Sequence, residues 1–114
     1  MTQKISLLAL PVIAAAAIEA ERFVTAAGAY PTAATSAFGV STTKAASGEL
    51  FGVDVLGTAI VTAGAAIAKN ASLEVGSSGK AITRTSTNPI VAVALQAASA
   101  DGDRIEVLLI PNAA

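Results

Sequence analysis

Apolar residues along this chain fall in short runs rich in Val, Ile, Leu and Thr. Turn-forming pairs separate them: Ala27-Gly28, Tyr30-Pro31, Ser47-Gly48, Ala63-Gly64, Ser77-Ser78-Gly79, Asn88-Pro89 and Asp101-Gly102. Short runs at that spacing predict an all-β fold, a small barrel or sandwich. The clearest strand is Arg104 to Ile110, where Ile105, Val107 and Leu109 face one way and Arg104 and Glu106 the other. Leu108 and Ile110 then add apolar character to the second face, which predicts a strand end covered on both sides. Leu50 to Leu56 alternates in the same manner, with Phe51, Val53 and Val55 inward and Asp54 outward. Ile90 to Leu95 is a continuous apolar run of strand length. Alanine clusters favour helix by propensity, but Gly, Thr, Val and Ser interrupt each of them. Tyr30–Ala37 and Thr83–Asn88 are small and polar and predict exposed loops.

The pattern also repeats. Gly39-Val40, Ala45-Ala46-Ser47 and Gly48-Glu49 precede the alternation Phe51, Val53, Val55. Ala92-Val93, Ala97-Ala98-Ser99 and Gly102-Asp103 precede Ile105, Val107, Leu109. The offset is 52 positions at Ala45/Ala97 and 54 at Phe51/Ile105. Upstream, Ile18–Gly28 resembles Ile67–Gly79, with Phe23-Val24 set against Leu73-Glu74. Duplication would build the domain from two similar β-units with pseudo-twofold symmetry, as a closed or nearly closed barrel.

The first 17 residues differ from the rest. Ile5 to Ile18 is apolar except for Ser6, and Glu19, Glu21 and Arg22 close the segment. It is shorter than the roughly 20 residues a spanning helix needs, so no membrane partner is expected. It reads as an extended N-terminal arm or a first strand, Lys4 to Leu10, ahead of a single β-domain over 18–114. Ile5, Leu7, Leu8 and Leu10 are the candidate partner-binding residues, suited to strand addition on a neighbour's sheet edge or to lying in a groove. If the segment is a free arm, deleting 2–13 leaves the domain folded. The competing reading is a secretory signal, Met1 to about Ala17, removed from a secreted or surface β-protein.

Composition narrows the chemistry. The 114 residues form one domain, with 54% hydrophobic, 13% charged and 4% aromatic residues. An alanine-rich core with few aromatics is thin, and an oligomer would support it. The net charge of −1 leaves no basic footprint for nucleic acid. Neither cysteine nor histidine is present, which removes thiolate chemistry and the commonest general base and transition-metal ligand. Asp101-Gly102-Asp103 lacks the other ligand positions of a calcium loop and predicts a hairpin turn. Glu19 and Glu21 are expected on one face of a strand. Gly76-Ser77-Ser78-Gly79-Lys80 misses phosphate-loop spacing, and Ser78 with Lys80 sits in a turn. No catalytic residue, cofactor or metal site is expected, and the chain is not read as an enzyme. Nor do polar groups converge to orient a small ligand inside a barrel.

The chain resembles the tailed-bacteriophage capsid cement, or head decoration, proteins. The resemblance lies in Arg22-Phe23-Val24-Thr25, Gly28 and Phe38-Gly39-Val40, then Val53–Ala59, Ala63–Ile67 and Gly79-Lys80-Ala81. Its longest block is Ala94–Leu109, with Asp101-Gly102-Asp103-Arg104-Ile105-Glu106-Val107 at its centre. It implies a β-rich virion protein on the outer surface of a phage head, binding the major capsid protein and bridging its subunits to stabilise the shell. It also implies self-association, as a homotrimer or, alternatively, a homodimer. No catalytic residues accompany it.

Overall fold

The computed structural model describes residues 5–85 and 87–110. Eight strands follow in order: β1 (Ser6–Ile13), β2 (Phe23–Val24), β3 (Gly39–Ser41), β4 (Leu50–Thr62), β5 (Ser72–Val75), β6 (Ala81–Thr83), β7 (Ala92–Ala94) and β8 (Arg104–Leu109). A 3-10 turn at Ser77–Gly79 links β5 to β6, and no α-helix forms among the described residues. The strands make one antiparallel sheet in the order β2-β3-β4-β8-β7-β5-β6, with β1 paired to β4. The expected all-β class is found. The sheet path is open, so its ladders do not close into the expected barrel.

Alternation places the core. Ile105, Val107 and Leu109 of β8 are buried, as are Phe51, Val53, Ala59 and Val61 of β4. Three expectations need correction. Leu108 is 44% exposed, so the end of β8 is covered on one face only. Asp54, expected outward, is 2% exposed: it lies opposite Val40, itself buried, and Ser6 Oγ donates to Asp54 Oδ1 at 2.9 Å. The run Ile90–Leu95 yields only the short β7, since the Gln96 side chain takes the Glu106 N–H at 2.8 Å.

The two halves repeat bond for bond. Ala14 N donates to Glu49 O, and Gly48 N to Ala14 O. Ala63 N donates to Asp103 O, and Gly102 N to Ala63 O. Ile18 and Ala45 exchange both backbone bonds, as do Ile67 and Ala98. Ser41 N→Arg22 O and Phe38 N→Val24 O are matched by Ala94 N→Ala71 O and Val91 N→Leu73 O. Glu21 and Asn70, 49 positions apart, both hold a left-handed backbone, with φ of 62° and 71°. The equivalences therefore run Ala45 to Ala98 and Val24 to Leu73, each one residue from the alignment expected from sequence. The paired backbone groups, rather than side-chain likeness, set the register.

β4 is long because both halves use it. Its first part, paired with β1 and β3, corresponds to β8, and its second part, paired with β8, corresponds to β1. At the joint, Phe23, Ala37 and Val40 of the first half join the core of the second. Thr62 N donates to Glu21 O at 2.8 Å, Arg104 Nε meets Glu21 Oε1 at 2.8 Å, and Arg22 Nη1 donates to Ser78 O at 3.0 Å. Gly79, at φ +72°, lies against this joint, and a Cβ there would stand 2.4 Å from Phe23 O. A smaller cluster of Val12, Ala14, Ile18, Val24, Ala45, Phe51 and Val53 fills the first half.

Of the two readings of the N-terminal segment, its described part forms a strand; Lys4 lies outside the described residues. β1 pairs with β4 along its length and sends Val12 into the core. Removing 2–13 would therefore strip a strand and open that core, so point substitutions are the better probe of its surface.

Candidate interaction surface

β1 lies on β4 in a register that pairs Ile13 with Leu50, Val12 with Phe51, Leu10 with Val53 and Leu8 with Leu56. Opposed residues of an antiparallel pair share a face. Val12 and Phe51 go inward, while Ile13 and Leu50 go outward and are 63% and 66% exposed. Further along, Leu8, Leu56 and Leu108 are exposed, and Leu7 most of all at 70%. Gly57 allows the close approach at this end: at φ +97°, its missing Cβ would sit 2.4 Å from Ile5 O. The pairing slips on either side of Leu8, a bulge that sets Leu7 outside the ladder.

Of the four residues singled out from sequence, Ile5, just before β1, and Leu7 and Leu8, on it, are exposed. Leu10 is half-buried opposite Val53. Sequence reasoning missed Ile13, Leu50, Leu56 and Leu108 as surface residues. Their signal was the outward parity of Leu50 and Leu108 in strands whose inward positions were already apolar.

The outer edge of β1 is not an open template. Ala14 N donates to Glu49 O, which makes Ile13–Leu50 and, two residues on, Pro11–Gly52 non-hydrogen-bonded pairs across the strands. The backbone of Pro11 therefore faces away from β4, where an added strand would need an N–H that proline lacks. Proline on an edge blocks strand addition. Of the two docking modes expected from sequence, side-chain contact fits this surface and strand addition does not.

The polar candidates are engaged within the fold. Glu19 and Glu21 do not share a strand face: they sit in the bend before β2, because the left-handed backbone at Glu21 breaks the extended path. Glu21 pairs with Arg104. Asp103 Oδ2 accepts from Ser99 Oγ at 2.7 Å and from the Ser99 and Ala100 amides, which hold its carboxyl below the ordinary aspartate value. Glu49 does the equivalent work in the first half, taking the Ala46 N–H at 2.7 Å. Asp101 pairs with Lys80 at 3.0 Å. Gly76–Lys80 is the β5–β6 turn.

Glu74 is a buried carboxylate that sequence reasoning passed over. It accepts from the Thr85 N–H at 2.6 Å, from the Thr85 hydroxyl at 3.1 Å and from Asn88 Nδ2 at 3.1 Å, and so ties down the loop after β6. A cleft of about 220 Å³ is lined by Glu21, Ser41, Thr42, Asp54 and Ile60. Its Ser41 and Thr42 hydroxyls donate to Glu19 O and Gly52 O.

The fold and this surface define an all-β domain with exposed apolar side chains at Ile5, along β1 and in the first part of β4. The profile of the phage cement protein family matches residues 2–109, and the chain belongs to that family. It is thus a structural protein of the phage virion, carried on the outside of the head. The match takes in the segment that a cleaved leader would remove. No curated protein sequence matches the chain significantly. Among solved structures, the chain is similar to the head fiber gp8.5 N base of bacteriophage phi29. The TM-score is 0.76 at 19% identity, over 90% of this chain and 93% of that one, a likeness of fold.

Proposed function

We propose that the protein is a cement that bridges neighbouring subunits of the major capsid protein, and that Ile5, with Leu7 and Leu8 of β1, makes the capsid contact. The observation that carries this reading is the exposure of those three side chains at the start of a strand otherwise fixed into the sheet, Ile5 just before it and Leu7 and Leu8 on it. Exposed contiguous apolar surface marks an interaction site more often than scattered single residues do. The binding unit is a homotrimer at local threefold positions of the shell, and it has no catalytic activity. Many equivalent sites per head make a modest contact per copy sufficient, through multivalency.

The test uses heads of the cognate phage lacking this protein. Leu7→Asp combined with Leu8→Asp should keep the far-UV circular dichroism spectrum and lower head binding by about tenfold or more, ~1.4 kcal/mol. Unchanged co-sedimentation with heads would overturn this assignment of the contact.

A further inference from the structure

The repeat leaves one surface without its counterpart. Within the chain, the outer side of the second part of β4 is covered by the first half at Glu21, whose carbonyl accepts the Thr62 N–H. The corresponding strand of the first half is β1; no strand pairs with its outer side among the described residues, where the backbone at Gly28 lies against Ile13 O and accepts the Ala15 N–H. By the equivalences above, Thr62 corresponds to Ile13, Arg104 to Leu50 and Glu21 to Asn70. Thr62 N–H points away from β8 to Glu21 O. Ile13 N–H points away from β4 in the same sense, and no described residue accepts it. Asn70 is exposed and holds the same left-handed backbone as Glu21. The joint's polar pair, Thr62 and Arg104, is replaced at this position by the apolar pair Ile13 and Leu50, both of them exposed.

We propose that a second copy of this chain covers Ile13 and Leu50, presenting the Asn70 region of its second half as Glu21 is presented within the chain. The contact is head-to-tail: the first half of one copy meets the second half of the next. Such a contact joins two different surfaces, so copies add head to tail and close into a ring where the rotation between them allows. It is separate from Ile5, Leu7 and Leu8, which stay open for another partner. It rests on the self-association in the proposed function but not on the capsid contact, so it is tested without heads.

The chain has no cysteine, so introduced pairs are unique. Ile13→Cys with Asn70→Cys, both at exposed positions, should give covalent multimers on mild oxidation, reversed by reductant. Each single variant should give none. Absence of multimers in the double variant, or a covalent dimer from Ile13→Cys alone, would overturn the proposal. Light scattering supplies the second arm. The unmodified protein should be a ring oligomer, and Leu50→Asp should raise its dissociation concentration by about tenfold or more with an unchanged spectrum. A monomeric unmodified protein, or a Leu50→Asp oligomer as tight as the parent, would equally overturn it.

Discussion

At the scale of single residues, the most consequential polar group is Glu74. Its carboxyl lies below the ordinary glutamate value, chiefly through the Thr85 N–H bond, with Asn88, the Thr85 hydroxyl and nearby Arg84 adding to it against the opposing effect of burial. A depressed folded value means the unfolded chain binds the proton more readily. The stability Glu74 contributes is therefore present above its unfolded value and lost as pH falls through the folded one. Asp103 shifts in the same direction, first through the Ser99 hydroxyl, so both groups weaken the fold on acidification. Glu74→Gln should cost about 1.5–3 kcal/mol at neutral pH, the scale of hydrogen bonds to a charged group. It should also flatten the fall in stability as pH drops below the ordinary glutamate value. Urea denaturation of both proteins from neutral pH to below that value checks each part; parallel pH profiles would show that another group controls the acid limb.

At the scale of elements, β1 combines an apolar outer face with an edge that resists pairing. Proline stands where its missing N–H costs the β1–β4 ladder nothing and denies a donor to any incoming strand. Pro11→Val should restore that donor. The variant should keep its melting temperature within a few degrees, about the shift from less than 1 kcal/mol, and should form larger, concentration-dependent aggregates by light scattering. Equal aggregation of both proteins would mean that something other than Pro11 protects the edge. The legibility of the elements follows the same physics. β8 was readable because one face is buried and the other starts polar, which leaves alternation in the sequence. β1 was ambiguous between arm and strand, since both of its faces are apolar and only Val12 shows the buried one. The length of β4 was hidden: Gly57 looks like a terminator, yet here its left-handed backbone serves close packing against β1 within a continuing strand. The repeat was visible in Gly and Ala spacing. The matched backbone at Glu21 and Asn70 was not: asparagine favours the left-handed region but glutamate does not, so the two positions share no signal in residue type.

At the scale of the whole molecule, the shared strand decides how the protein comes apart. Two duplicated units joined by a linker could unfold separately. Here β4 is the last strand of one and the first of the other, and Phe23, Ala37 and Val40 lie in the core of the second half. Losing either half therefore removes an edge from β4 and apolar contacts from the other, which is the condition for one cooperative transition. The single tyrosine, Tyr30, reports on the joint. Its hydroxyl accepts the Glu19 N–H at 2.8 Å, and its ring lies beside Gly79 of the second half. Tyrosine fluorescence and far-UV circular dichroism should then give coincident urea transitions at any fixed protein concentration. Phe51→Ala in the first core and Leu73→Ala in the second should each move both probes together, by about 2–5 kcal/mol. If Phe51→Ala shifted the fluorescence midpoint and left a residual dichroic transition unmoved, the halves would be independent domains, and the joint inside the chain would be too weak a template for a joint between copies.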